Sequence, residues 1–494
     1  MNKKLILKNV GLVMLIEAAL MVLPLIVALI YGEDDWIWFL ITIVPLGGIG
    51  FILKSLKIKR KQLYAKDGYI ITGLAWIVMS LAGAVPFTIS GTIPNYLNAL
   101  FETVSGFTTS GVTALTDIES VSYSMLFWRS FTHWIGGMGI LVFMLALVNA
   151  KDNGSGLFIM KAESPGPEVE KVVPKLRQTA KYLYYVYGAF TVLEVICLVI
   201  TGLPVYNSFI VAFGTMATGG FSYSSQSLAL LTWTQQNIVT VFMFLAGVNF
   251  TLYLLVIFKK PLKALKNEEF LCYAGIYVLT VVLIATNVYT SGTYETVRES
   301  IHYTAFTVAS VITTTGFSIT NTGAFPLFSK TIIMTIMFIG ACAGSTAGGV
   351  KVSRTVIMIK SVRRHLRQII HPRSVETVRY EGRELSKQTE YGVLFYMCLF
   401  ILLFFGSLVI VSLDPAMDGD FLTAFSAVNT TINNNGVAFG AASGSFSVFK
   451  WYSKVVFIID MLLGRLELLP IIVLISGTAE PVVSLTKKIR KKIA

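Results

Sequence analysis

The sequence is poor in charge for its length. Only 14% of its 494 residues are Asp, Glu, Lys or Arg, whereas 54% are hydrophobic. A soluble domain is about a quarter charged, so this chain lacks the polar surface that water would require. Its apolar content also excludes a disordered chain. One multi-span membrane domain fits this composition better than several soluble domains.

Cysteine and histidine are scarce as well. No two cysteines form a CxxC pair, and the histidines show no metal-ligand spacing, so we expect neither a disulfide framework nor a transition-metal site. The sequence also lacks a Gly-rich Walker loop and any converging Ser/His or His/Asp/Glu set. We therefore predict no organic cofactor and no enzymatic activity. The residues concerned are Cys197, Cys272, Cys342 and Cys398, and His133, His302, His365 and His371.

What the chain has instead is long apolar runs. Each is long enough to cross a hydrocarbon core of about 30 Å as a helix. The first is too long for a signal peptide and is interpreted as a retained helix. The ten candidate spans lie at about 10–31, 36–53, 70–90, 125–148, 182–201, 238–258, 270–288, 331–360, 391–413 and 452–476.

Positive charge alternates between the loops. Lys and Arg flank the N-terminus, the loops at 54–66, 151–181, 259–266 and 351–387, and the C-terminus, whereas the intervening loops are nearly free of them. Because cytoplasmic loops collect Lys and Arg, this pattern predicts that both termini are cytoplasmic. The 351–387 loop is the most basic, and it suits both an anchor on anionic membrane lipid and a docking surface for a protein partner. Dispersed charge without interleaved aromatic residues predicts no nucleic-acid partner.

The last four neutral loops share one design. Each contains an apolar stretch too short to span, at 96–107, 206–216, 301–312 and 421–432, followed by a tract rich in Thr, Gly or Asn. The last glycines of the tracts lie 109, 96 and 120 residues apart. This repetition predicts an all-α polytopic membrane protein in which four span–loop–span units surround a pore. We divide the chain into an N-terminal two-helix unit (1–66) and repeats at 67–178, 179–266, 267–388 and 389–494.

The residue types of the tracts indicate cation chemistry. Glycine permits positive φ, so successive backbone carbonyls can point the same way, and rings of such carbonyls replace the hydration shell of potassium. Four tracts in one chain can supply such a ring without tetramerisation. The candidate filter residues are Thr109, Ser110 and Gly111; Thr218, Gly219 and Gly220; Thr314, Thr315 and Gly316; and Asn434, Asn435 and Gly436.

With these tracts and the motifs at 128–129, 134–140, 247–250, 344–351 and 463–467, nearly the whole sequence resembles the Trk/Ktr/HKT superfamily of potassium transporters. It is most similar to the TrkH/TrkG-type membrane subunit of bacterial Trk systems. The resemblance implies a bacterial inner-membrane protein, a homodimer and a cytoplasmic nucleotide-binding regulatory subunit of the TrkA type. In HKT relatives a serine in place of the first filter glycine accompanies sodium preference, so Gly111 favours potassium. Ser110 departs from the commoner threonine, and the fourth tract is rich in Asn.

A stretch of small residues at 340–349 interrupts the predicted span at 331–360. Close helix packing is one interpretation; the resemblance implies the other, a broken helix whose middle forms a movable gate. Arg465, in the last span, is the second candidate gate element, because an arginine within a bilayer is costly and faces a pore or a carboxylate. Asp460 and Glu467 are its candidate partners. Lys351 is expected at the inner membrane interface, and a role in gating is the alternative. The candidate gate residues are Gly344, Ser345, Thr346, Gly348, Gly349 and Arg465.

Three carboxylates interrupt apolar segments and are candidates for function. Glu102 is expected to orient the filter backbone or to add negative potential at the outer mouth. Glu17 is expected at a helix–helix contact, and Glu194 has no assigned role. The sequence as a whole predicts potassium uptake through a channel-like filter with an intramembrane gating loop. The alternative is a potassium symporter coupled to protons or sodium through alternating access.

Overall fold

Helices account for nearly all of the regular structure. The computed structural model describes residues 3–58, 65–139, 176–257, 261–373, 376–417 and 419–475. Part of the predicted span at 125–148, parts of the basic loops and the basic C-terminal run lie outside these residues. The helices are Lys3–Leu20, Val22–Tyr31, Trp36–Lys54, Ala65–Ile89, Tyr96–Phe107, Tyr123–Gly137, Leu176–Ile200, Val205–Met216, Trp233–Ala246, Phe250–Ile257, Pro261–Leu265, Glu268–Thr290, Val297–Ile312, Leu327–Ile339, Val352–Ile370, Lys387–Val411, Phe421–Asn433 and Trp451–Arg465.

Six helices of the described chain are long and apolar enough to cross a membrane, and one pair bent by 90° makes a possible seventh. The six are Lys3–Tyr31, Trp36–Lys54, Lys66–Ile89, Gln178–Ile200, Glu268–Thr290 and Lys387–Val411, and the bent pair is Trp233–Ala246 with Phe250–Ile257. These account for seven of the ten predicted spans. In each repeat the long first helix is intact.

The second helix of every repeat ends at an equivalent place. It stops at Gly137, Ala246, Ile339 and Arg465, which lie 26, 26, 23 and 29 residues after the last glycine of the preceding tract. The expectation of continuous spans at 238–258 and 452–476 is therefore wrong. The predicted span at 125–148 is helical to Gly137, and its part from residue 140 onward lies outside the described residues. The sequence predicts a break only in the third repeat, where it takes the form of a run of small residues. In the third repeat residues 340–351 form a non-helical segment, here called the intramembrane loop.

The two N-terminal helices pack on the first repeat. Lys3–Leu20 and Trp36–Lys54 cross where Gly11 faces Gly50, and a Cβ at either glycine would lie 2.9 Å from the carbonyl oxygen of the other. In the connecting turn Glu33 accepts backbone hydrogen bonds from Tyr123 at 2.6 Å and Ser124 at 2.9 Å. A carboxylate there caps the start of Tyr123–Gly137, where free N–H groups and the helix dipole favour an anion.

A small hairpin is the only sheet in the described chain. Arg379–Tyr380 pairs with Arg383–Glu384 in antiparallel register. Both turn residues, Glu381 and Gly382, have positive φ, as a two-residue hairpin of this kind requires. This segment, residues 378–385, is here called the hairpin, and it lies in the most basic predicted loop.

Candidate ion-conduction site

The four tracts begin in the same way, at the C-terminal ends of four short helices. These pore helices are Tyr96–Phe107, Val205–Met216, Val297–Ile312 and Phe421–Asn433. In each tract the second candidate residue donates its N–H to the carbonyl five positions earlier, at 2.8 to 2.9 Å: Ser110 to Ser105, Gly219 to Gly214, Thr315 to Ser310 and Asn435 to Thr430. This bond defines a Schellman-type helix end. The negative ends of four helix dipoles therefore adjoin the tracts, where they favour a cation.

The tracts share one backbone pattern. The first candidate residue has a left-handed φ between 52° and 57° (Thr109, Thr218, Thr314 and Asn434), and the third, always glycine, has a φ between 78° and 84°. Positive φ is unfavourable for a β-branched residue such as threonine, so surrounding contacts must hold it. Four independent segments with the same alternation indicate one shared geometric requirement.

The four tracts form a closed ring. A Cβ placed on each filter glycine would lie within 3.0 Å of the carbonyl oxygen that precedes the glycine of the neighbouring tract. The order is Gly111 to Gly219, Gly220 to Thr315, Gly316 to Asn435, and Gly436 back to Ser110. The structure thus brings the candidate filter residues together, and the glycine of each tract lies against the backbone of the next tract.

A cavity of about 500 Å³ opens on one side of the ring. All four filter glycines line it, and they are only partly buried, whereas the residues before them in the tracts are buried. The rest of its wall is mainly Ser, Thr, Asn and apolar residues from the predicted outer loops. Arg129 is the one charged residue of this wall, and Glu102 neutralises it. A polar vestibule of this kind has room for a hydrated cation beside the ring.

Glu102 positions the outer end of the first tract. Its carboxylate forms a buried ion pair with Arg129 at 2.6 Å and accepts hydrogen bonds from the Thr113 hydroxyl and from Ala114 N–H at 2.7 Å. Arg129 also donates to the carbonyl of Ser222, just beyond the second tract, at 3.1 Å. Of the two expected roles, this geometry favours orientation of the backbone, because Arg129 neutralises the carboxylate.

A second carboxylate links the outer loops of the first two repeats. Glu119 is exposed and accepts hydrogen bonds from the Ser225 hydroxyl, from Ser225 N–H at 2.8 Å and from the Ser224 hydroxyl at 3.0 Å. These bonds, chiefly those of Ser225, lower the pKa of Glu119 from 4.5 to about 2.

His133 supports the ring from behind, a role that the sequence did not reveal. Its Nδ1 lies 2.6 Å from the carbonyl oxygen of Gly106 in the first pore helix. Its ring packs on Phe221 with 4.0 Å between centroids, and a Cβ on Gly219 would collide with it. A lone histidine in an apolar helix gives no pattern from which this position can be inferred.

The intramembrane loop lies directly against the inner ends of the tracts. Gly348 N–H donates to the Thr314 hydroxyl at 2.6 Å, and Gly349 N–H donates to the carbonyl of Asn433 at 3.0 Å. The Thr346 hydroxyl donates to the carbonyl of Met216, at the end of the second pore helix, at 3.0 Å. The loop thus contacts three of the four pore helix–tract junctions. Close helix packing through small residues is excluded here, because the segment is not helical.

Arg465 completes this layer. Its guanidinium donates to the carbonyl of Thr346 at 2.7 Å, to the carbonyl of Gly136 at 2.6 Å, and to the hydroxyl of Thr109 in the first tract at 3.3 Å. Arg465 therefore connects the intramembrane loop, the end of the broken helix Tyr123–Gly137 and the first tract. The predicted association of Arg465 with the loop is present in the structure.

The charged groups around Arg465 differ from expectation. Glu467 forms an ion pair with Arg354, which also lies 4.1 Å from the ring of Tyr396, and Asp460 accepts a hydrogen bond from Ser407 at 2.7 Å. Lys351 was expected at the membrane interface but is only 2% exposed, and its ammonium donates to the carbonyl of Ala347. Lys351 has positive φ and lies at the junction between the loop and the helix Val352–Ile370.

Each of the two remaining candidate carboxylates lies near a pore helix rather than in a tract. Glu17 packs against Gly83 of the helix Ala65–Ile89, so the predicted helix–helix contact is confirmed. Glu194 is fully buried beside Thr215 of the second pore helix.

A ring of four repeated tracts, with a polar cavity on one side and Arg465 and the intramembrane loop on the other, defines a membrane protein built to pass cations. The profile of the TrkH family, described as "Cation transport protein", matches residues 39–480. The chain belongs to this family.

Particular relatives cover nearly the whole chain. It is 32% identical to the Trk system potassium uptake protein TrkH of Salmonella typhimurium, over 97% of this chain and 99% of that protein. It is 32% identical to the Trk system potassium uptake protein TrkG of Escherichia coli, over 92% and 94% respectively. The crystal structure of the potassium transporter TrkH from Vibrio parahaemolyticus superposes with a TM-score of 0.86 at 29% identity, covering 96% of this chain and 98% of that one.

Proposed function

We propose that this chain is the ion-translocating subunit of a Trk-type potassium uptake system. One observation supports this function most directly: the four filter glycines form a closed ring. Each of them lies against the carbonyl oxygen of the residue that precedes the glycine of the next tract. Carbonyl oxygens in a ring can replace the water around a potassium ion, whose larger size suits this coordination better than that of sodium. The relatives named as potassium uptake proteins support the same ion.

In this proposal the intramembrane loop and Arg465 form the gate. The loop contacts the inner ends of three pore helix–tract junctions, and Arg465 places a positive charge beside the first. A fixed cation on the inner side of a cation filter raises the energy of a potassium ion there. Conduction requires Arg465 and the loop to move aside together, because a hydrogen bond joins them.

The division into an N-terminal pair and four repeats at 67–178, 179–266, 267–388 and 389–494 belongs to the same proposal. It is supported by the four pore helices and by the equivalent breaks in the second helices. The alternation of basic and neutral loops supports a multi-pass protein of the bacterial inner membrane with both termini in the cytoplasm.

We further infer a homodimer that binds a cytoplasmic nucleotide-binding subunit of the TrkA type. Exposed basic residues at the cytoplasmic end of Val352–Ile370 and on the hairpin, among them Arg363, Arg367 and Arg383, supply a surface for that subunit or for anionic lipid. Arg354 belongs to the same basic segment at 351–387, but it is only 5% exposed and is paired with Glu467, so it is not part of this surface.

The decisive experiment is cation flux in proteoliposomes for the wild type and Gly111→Ser, with potassium and sodium measured separately. The added side chain meets the carbonyl of Gly219, so we expect potassium flux to fall and the potassium-to-sodium ratio to decrease. Gly188→Ser is the matched control, because a Cβ there meets no atom within 4 Å. Unchanged flux of both ions in Gly111→Ser would contradict the filter assignment. Uptake that follows voltage rather than a proton or sodium gradient distinguishes the channel-like route from symport.

A further inference from the structure

Glu269 is a buried carboxylate for which the conduction pathway offers no direct use. It lies in the first turn of Glu268–Thr290 and is only 3% exposed. A carboxylate in the first helical turn ordinarily faces solvent and complements the helix dipole. Here it points instead toward the intramembrane loop.

A single carboxylate oxygen of Glu269 binds two backbone N–H groups, one in the intramembrane loop and one in the helix that follows it. Its Oε1 accepts hydrogen bonds from Ala343 N–H at 2.7 Å and from Ser353 N–H at 3.2 Å. Ala343 lies within the loop, and Ser353 is in the first turn of Val352–Ile370. Glu269 therefore caps that helix from another element and fixes the loop relative to it.

The same stretch of chain is attached to the hairpin. The neighbouring Glu268 forms an ion pair with Lys360 and accepts a hydrogen bond from Glu381 N–H, in the hairpin turn, at 3.1 Å. Lys360 also donates to the carbonyl of Arg379 at 2.8 Å. The hairpin is thus attached to Glu268, which is the chain neighbour of Glu269.

We propose that Glu269 is the positioning residue that latches the intramembrane loop beneath the filter, and that the hairpin is the cytoplasmic element that sets this latch. This inference rests on the proposed gating role of the loop. When the hairpin is pulled away from Glu268, the start of Glu268–Thr290 shifts, both hydrogen bonds of Glu269 are lost, and the loop is free to leave the inner ends of the tracts.

The test compares three substitutions that separate hydrogen bonding from charge and from length. Glu269→Gln keeps an oxygen that can accept both N–H groups, Glu269→Ala removes it, and Glu269→Asp keeps the charge but is too short to reach both. Basal potassium flux in proteoliposomes should rise about five- to tenfold in Glu269→Ala and Glu269→Asp, the change expected when the net contribution of about one ordinary hydrogen bond is lost. Glu269→Gln should stay within about twofold of the wild type.

A native thiol in the loop reports its position independently of flux. Cys342 is fully buried and lies next to Ala343. Maleimide labelling of the Cys342 peptide, read by mass spectrometry, should be faster in Glu269→Ala and Glu269→Asp than in the wild type and unchanged in Glu269→Gln. Glu295→Ala, which alters an exposed carboxylate of an outer loop, is the control. If Glu269→Ala does not fold, Glu269→Asp carries the test alone.

The role of the hairpin is tested in a separate experiment. Lys360→Ala should also raise basal flux, and its effect should add little to that of Glu269→Ala, because both act through one latch. Equal flux and equal Cys342 labelling in the wild type, Glu269→Ala and Glu269→Asp would overturn the latch. If the effects of Lys360→Ala and Glu269→Ala on flux were fully additive, the hairpin would have no part in it. The potassium-to-sodium flux ratio, measured in the same vesicles, tests the filter separately from the latch. If the latch proposal is wrong, the expected effect of Gly111→Ser on this ratio is unchanged.

Discussion

The guanidinium of Arg465 donates a hydrogen bond of 2.7 Å to the backbone carbonyl of Thr346, 119 residues earlier in the chain. This bond joins the last helix of the fourth repeat to the intramembrane loop of the third. Because the same side chain also contacts Thr109, one residue links the proposed gate to the first filter tract. In the proposed gate, Arg465 and the loop are therefore joined on the side of the ring opposite the vestibule.

Removal of the Arg465 side chain should increase cation flux. Arg465→Ala eliminates the positive charge and all of the hydrogen bonds to the loop and to Gly136, so we expect basal potassium flux to rise about tenfold, which corresponds to a barrier lowered by about 1.4 kcal/mol. Arg465→Lys keeps the charge but cannot make the same set of bonds, so its flux should lie between the two. Proteoliposome flux measures all three proteins, and unchanged flux in both variants would contradict the barrier role.

A methyl group on Gly220, the last glycine of the second tract, should block potassium conduction. In Gly220→Ala the new Cβ would collide with the carbonyl oxygen of Thr315, and alanine also disfavours the φ of +81° at this position. We expect potassium flux to fall at least about tenfold, since a shift of 1.4 kcal/mol in the barrier suffices for that loss.

Gly188→Ala is the matched control for this substitution, because it places the same methyl group in open space within a long helix. Both proteins should elute from size exclusion as the wild type does. Normal flux in Gly220→Ala would show that ions do not pass through the ring.

The repeated tracts were visible in the sequence because four copies at matched positions reinforce one another. Their backbone geometry was not. Threonine is a poor residue for a left-handed position, so local propensity argues against the conformation that Thr109, Thr218 and Thr314 adopt. Contacts from distant segments supply what propensity lacks: the Thr314 hydroxyl accepts from Gly348, and that of Thr109 accepts from Arg465.

The helix breaks show the same limit. In the third repeat, glycines and other small residues at 340–349 gave a local signal. The break after Ala246 depends on Gly247 and Asn249, and a single glycine in an apolar run is tolerated within a helix. What stabilises that break lies elsewhere: Gly247 accepts a hydrogen bond from Cys342, and Phe250 donates one to Gly344. Partners about 95 residues away cannot be found by periodicity.

The link between the first two outer loops should depend on acid. The pKa of Glu119 is lowered from 4.5 to about 2 by hydrogen bonds from Ser225 and Ser224. A lowered pKa in the folded state means that this carboxylate stabilises the protein fully above pH 4.5 and loses that contribution as the pH falls from 4.5 to 2.

The melting temperature of Glu119→Gln in detergent should therefore be lower than that of the wild type at pH 7 and pH 5, with the difference shrinking at pH 3. Glu295→Gln, on another outer loop, corrects for the general effect of removing an exposed carboxylate. A difference that stays constant from pH 7 to pH 3 would contradict the assignment of this bond to the ionised form.

Removal of one member of the buried pair Glu102 and Arg129 should destabilise the protein more per substitution than removal of both. Arg129→Gln leaves a buried carboxylate without its cation, and Glu102→Gln leaves a buried guanidinium without its anion, so each should lower the free energy of unfolding by about 3 kcal/mol or more. The double variant should lose less than the sum of the two, because it leaves neither charge uncompensated. Arg379 and Glu384 form an exposed pair at 3.1 Å, and the coupling energy from the same set of variants there should be less than about 1 kcal/mol.

Unfolding in detergent measures the stability of each variant. The flux of the folded fraction should fall in each single variant, because Glu102 also holds Ala114 N–H just beyond the first tract. Additive stability losses would show that Glu102 and Arg129 do not stabilise each other, and unchanged flux in both single variants would show that the pair does not position the mouth of the pore.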